Sequence, residues 1–157
     1  MPVSLRSYVR VPRIRLHAIR RIARSILLEL GEASSELGLA FVGDRRIHRL
    51  NKEFRGKDYA TDVLAFPMGF PDSPLTEFPV RQLGDVVISL PTAMRQARLG
   101  SRSIDEEITA LMVHGILHLC GYDHETAERE ARRMRRREHM VLRRLAPIPR
   151  LCIGTKK

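Results

Sequence analysis

The chain has 157 residues, 43% of them hydrophobic, enough to close one core without staples, and its two cysteines, Cys120 and Cys152, make no disulfide framework and suit a reducing compartment. A formal net charge of +10, from 28 Lys and Arg against 18 Asp and Glu, points to a polyanionic partner, nucleic acid first. No apolar run approaches the ~20 residues of a membrane span and the N-terminus lacks a signal-peptide h-region, so a soluble cytoplasmic protein is expected, one domain over 1–150 with a loose tail at 151–157.

Residues 3–11 alternate loosely and predict a strand. Ile14, Ala18, Ile22, Ile26 and Leu30 recur every four residues, so an amphipathic helix is expected there with Gly31 as its stop. Leu37 to Val42 reads as a short strand, followed by a Gly43-Asp44 turn with Asp44 as N-cap of a helix ending near Phe54. Thr61 to Phe66 and Asp85 to Leu90 are apolar and β-branched, two further strands. Between them Pro67 to Gly84, with four Pro and two Gly, is a loop too long for a hairpin turn.

Pro91 opens a short helix to about Leu99. Ser103 and Glu106 form a capping box for a helix through Leu119, which is apolar on several sides and therefore central to the core. Asp105, Glu106 and Glu107 in its first turn suit the helix dipole and are assigned no chemistry. A last helix, from about Glu125 to Leu145, buries Ala127, Ala131, Met134 and Val141 and stops before Pro147. Arg129, Arg132, Arg133, Arg135, Arg136 and Arg137 encircle it, which suits a solvated or RNA-facing surface better than a membrane-lying one.

The chemistry gathers between His114 and His124. His114 and His118 stand one turn apart on one helix face, Gly121 ends the helix, and the returning chain brings His124 towards the same point. Three neutral imidazoles with one open position is the pattern of a catalytic zinc, one Zn2+ per chain. Cys120 points away from that face and reads as a small core residue. The spacing H-x-x-x-H-x-x-G-x-x-H is similar to that of the metzincin metalloproteases, but those enzymes need Glu after the first His, and here it is Gly115.

A second segment, Asn51 to Pro67, places Arg55-Gly56-Lys57-Asp58 between a helix and a strand. Arg55 there suits bidentate phosphate binding or transition-state stabilisation, with Lys57 beside it. A plain helix end, with Gly56 as cap and two cations opposing the dipole, accounts for the same residues equally well.

The blocks HGILHLCGYDH, NKEFRGKDYATDVLAFP and LGDVVISL, in their order and spacing, resemble the signatures of the YbeY family of bacterial rRNA maturation factors. The resemblance implies an α+β fold, a small mixed sheet of about four strands packed with about five helices, the metal site on a central buried helix. It implies a single-strand-specific, metal-dependent endoribonuclease acting in 16S ribosomal RNA 3′-end maturation and ribosome quality control. His114, His118 and His124 fall on the zinc ligands and Arg55 on the functionally important arginine. Single-stranded RNA, the small ribosomal subunit, a ribosomal protein and an Era-type GTPase are the partners it implies.

The expected mechanism is metal-assisted phosphodiester hydrolysis, with Arg55 on the phosphate and Asp123 either a base or the carboxylate that orients a ligand imidazole. A metalloprotease and a non-catalytic RNA-binding assembly factor with a structural zinc are the competing classes.

Overall fold

The described residues, 3–67, 81–122 and 127–154 of the computed structural model, form a four-stranded mixed sheet with helices on both faces. Strands β1 (Val3–Ser7), β3 (Glu36–Val42) and β5 (Gln82–Ser89) run parallel; β4 (Val63–Pro67) pairs antiparallel with β5 and forms an edge, in the order β1-β3-β5-β4. Alternation splits β3 between two cores. Leu37, Leu39 and Phe41 join the larger one, whereas Ala40 and Val42 join the smaller.

The larger core is closed by α1 (Leu16–Glu29) and α4 (Ile104–Leu119), with α5 (Glu128–Leu145) packed against both. The other face is covered by α2 (Asp44–Arg55) through Ile47 and Leu50. α3 (Leu90–Leu99) follows β5 directly and leans on α4. A two-stranded ribbon, β2 (Arg13–Ile14) with β6 (Cys152–Ile153), completes the α+β architecture. Among the described residues no helix is long and apolar enough to cross a membrane.

α4 is the centre of this arrangement: Ile108, Met112, Val113, Ile116 and Leu117 are completely buried. Its start is held by the expected capping box, in which Ser103 Oγ accepts from the Glu106 N–H at 3.0 Å and the Ser103 N–H donates to Glu106 Oε1 at 3.1 Å. Hydrogen bonds from the Ser103 N–H and hydroxyl hold the Glu106 carboxyl below its ordinary pKa.

Several expectations are corrected. Asp44 is the first residue of α2 and Gly43 its N-cap; the Asp44 carboxylate reaches instead across to Ser89, Thr92 and Arg95. Ile14 belongs to β2, and α1 starts at Leu16. The strand expected over 3–11 ends at Ser7. The 67–84 loop yields both its ends to strands, since Pro67 closes β4 and Gln82 opens β5; its interior lies outside the described residues. The tail is not loose throughout: Leu151 and Cys152 are buried, and the Asp105 carboxylate accepts from both their N–H groups, at 2.6 and 3.2 Å.

Candidate metal centre

Helical spacing alone stacks His114 and His118 on one face of α4, and the structure turns their rings inward to one point. Their Nε2 atoms lie 3.2 Å apart, with the rings edge to face at 75°. Two ligands of a tetrahedral ion with metal–nitrogen bonds of about 2.0–2.1 Å stand roughly 3.3 Å apart, so the pair fits one edge of a zinc cage. Gly121 takes a left-handed φ of 98°, as the helix-ending role requires. His124 and Asp123 lie outside the described residues.

The far side of the His114 ring is held by a residue that no motif singles out. Glu138 of α5 lies with Oε1 2.5 Å from His114 Nδ1. An ionised carboxylate only accepts, so a neutral His114 in this contact donates from Nδ1 and turns its Nε2 lone pair towards His118. The signal available in the sequence is the spacing: Ala131, Met134, Glu138, Val141 and Leu145 alternate three and four apart, so Glu138 occupies a seam position. Neither cysteine is a ready thiolate. Burial raises the Cys120 thiol and pushes Cys152 up to about 12, so both remain protonated.

The histidine pair opens onto a cleft of about 270 Å³ between α4, the β4 edge and the turn after α2. Arg55, Lys57 and Tyr59 line it together with His114 and His118, as do Asn51 and Asp62. The helix-end reading of the 55–58 turn holds, since Gly56 ends α2, and Arg55 and Lys57 line the cleft. The turn is pinned to its own helix. Buried Asn51 donates from Nδ2 to the Tyr59 carbonyl at 2.8 Å, and the Lys57 N–H donates to the Asn51 carbonyl at 3.2 Å. His48 Nε2 lies 2.7 Å from Asp58 Oδ1, and this hydrogen bond, followed by the Lys52 charge, holds the Asp58 carboxyl below its ordinary pKa. His48 thus has a partner of its own, outside the lining of the cleft. Asp62 is occupied with the Val63 N–H, at 2.8 Å, and with Gln96.

Gly115 forms part of the cleft wall between the two histidines. A Cβ there would come within 2.6 Å of Val86 Cγ1 and 3.3 Å of Val63 Cγ2. The carboxylate base of a metzincin has no room at this position. Beyond the cleft, Arg129, Arg132, Arg133, Arg135 and Arg136 of α5 are exposed, and the Arg133 guanidinium sits 4.9 Å over the Tyr122 ring. Arg137 is half-buried and donates to the Glu29 carbonyl at the end of α1.

The family model for endoribonuclease YbeY matches residues 9–146. A relative from Anaeromyxobacter sp. (strain Fw109-5), described as endoribonuclease YbeY, is 49% identical over 127 residues, 80% of this chain and 62% of its own length. One from Aquifex aeolicus, described in the same words, is 44% identical over 135 residues, 85% of this chain and 86% of its own. This chain thus spans less than two thirds of the Anaeromyxobacter protein and most of the Aquifex one. The solution structure of TM1509 from Thermotoga maritima superimposes with a TM-score of 0.62 over 98% of this chain and 99% of that one, at 21% identity, and shows the same fold. A match that runs through the cationic turn, the β4 edge and the histidine helix together leaves one assignment: the chain belongs to the endoribonuclease YbeY family.

Proposed function

We propose that this chain is a zinc-dependent endoribonuclease that hydrolyses single-stranded RNA, acting in the cytoplasm in 16S ribosomal RNA 3′-end maturation and ribosome quality control. The observation that carries the reading is the convergence of the His114 and His118 Nε2 atoms, 3.2 Å apart, on a cleft lined by Arg55 and Lys57. His124 is the third ligand in this reading. When bound, zinc supplies Lewis-acid activation of water and polarisation of a phosphoryl oxygen.

The chain's own side chains do the rest. The Arg55 guanidinium offers a planar fork for two phosphate oxygens and offsets charge that builds there during cleavage, while Lys57 adds a point charge that holds the strand. Tyr59, 54% exposed on the cleft rim, presents a ring on which an unpaired base stacks. A base already in a duplex cannot reach it, which favours single strands. The small ribosomal subunit, a ribosomal protein and an Era-type GTPase belong to the same proposal through the family resemblance.

The test is incubation of zinc-loaded protein with single-stranded RNA, double-stranded RNA and casein, beside His114→Ala. Cleavage of the single strand alone, lost in the variant together with zinc, is the expected result. Cleavage of casein supports the protease class instead, and full zinc content without cleavage supports an assembly factor with a structural metal. Undiminished RNA cleavage by zinc-free protein overturns the metal's role.

A further inference from the structure

We infer that Glu138 is the positioning residue of the metal centre, fixing the tautomer and the rotation of the His114 imidazole from a different helix. The inference rests on the zinc reading above. Three observations carry it. Position 138 lies on the α5 seam, where Met134 and Val141 are buried and Leu145 packs against the core, so an apolar residue would pack there without desolvation cost. Glu138 is also the only acid between residues 131 and 145, and Arg135, three residues before it on the helix, is placed to draw its carboxylate outward. That carboxylate turns inward instead and grips Nδ1 of His114, the nitrogen facing away from His118, at 2.5 Å.

The consequence is directional. A free imidazole favours the Nε2–H tautomer, in which the nitrogen facing His118 would carry a proton in place of a lone pair. The acceptor at Nδ1 reverses that preference and stops the ring from rotating about its χ2 bond. Ligand histidines held in this way bind metal about 10–100-fold more tightly than those without the partner. α5 thereby joins the metal site without contributing a ligand.

Two measurements on the full chain test this. Zinc affinity is read by competition with a chromophoric chelator for wild type, Glu138→Gln and Glu138→Ala. The Ala variant should lose about 10–100-fold in affinity, whereas Gln, whose amide oxygen still accepts from Nδ1–H, should retain most of it. The tautomer of His114 in the zinc-free protein is read by long-range nitrogen–proton NMR correlation: Nδ1–H in wild type and Gln, Nε2–H in Ala. A seam residue with only a packing role would move the melting temperature of the zinc-free protein but not the tautomer. Wild-type zinc affinity in Glu138→Ala, or the Nε2–H tautomer in the wild type, overturns the inference. Absence of zinc binding in the wild type itself fails the zinc reading first, a distinguishable result; the isosteric Gln variant keeps the tautomer test available if Ala does not fold.

Discussion

Gly115 of α4 lies so close to Val86 of β5 that a Cβ on the glycine would stand 2.6 Å from Val86 Cγ1. Val86 is fully buried and β-branched, so it has no free rotamer into which to retreat. In an open helix Gly→Ala gains about 1 kcal/mol. Here Gly115→Ala should lose about 1–3 kcal/mol in urea unfolding, through overpacking. Pairing it with Val86→Ala should recover part of that loss in a double-mutant cycle. A neutral or stabilised single variant would mean that the sheet gives way freely.

Arg55→Lys keeps the charge on the cleft but removes the fork. If Arg55 acts on the phosphate during cleavage, the single-turnover rate at saturating protein should fall by about tenfold or more, with RNA affinity less affected and zinc content unchanged. An intact saturated rate with weakened binding would reduce Arg55 to an anchor. Loss of folded protein would make it chiefly the end of α2.

The exposed arginines of α5 are tested by salt. Replacing Arg132, Arg133, Arg135 and Arg136 with Gln leaves Arg137 in its bond to the Glu29 carbonyl. Each phosphate of a single strand that these arginines neutralise in the wild type contributes about 0.7 to the slope of log affinity against log salt, and the variant should be flatter by that amount per phosphate. A slope identical to wild type places the RNA path on the cleft and off this helix.

Asp44 gives a prediction in pH. Burial pushes its carboxyl up, but hydrogen bonds from Ser89, Thr92 and Arg95 outweigh that and hold it below the ordinary value of 3.8. A carboxyl depressed in the folded state stabilises fully above its unfolded pKa and ceases to do so as pH falls through the folded one. Asp44→Asn should therefore be less stable than wild type at pH 7, by about 1 kcal/mol for hydrogen bonds at a partly screened site. The gap should close below about pH 4 in thermal melts. A gap independent of pH would assign the loss to packing.

How much the chain discloses of itself depends on whether the information is local. The capping box at Ser103 and Glu106 and the shared face of His114 and His118 follow from spacing within a few residues, and both stand as expected. Asp44 reads as a cap because its true partners, Ser89 and Arg95, are more than forty residues away. Gly84 reads as loop and so delays the expected start of β5, although it pairs with Pro67 and Leu37 in the sheet. Glu138 leaves a trace in the seam periodicity, but nothing along the chain says that α5 turns this seam towards His114. Arg55, at the end of α2, also lines the cleft, a juxtaposition that spacing along the chain does not give.

The latch between Asp105 and the backbone of Leu151 and Cys152 bears on how the molecule is made. A growing polypeptide emerges N-terminus first at roughly 5–20 residues per second, and folding begins before synthesis ends. The histidine helix is translated well before the two residues that secure its first turn. Until they arrive, Asp105 lacks its backbone partners and β2 lacks its mate, although α4 lies at the middle of the core. A shortened chain that stops before Leu151 would carry both histidines on an α4 whose first turn lacks these two hydrogen bonds.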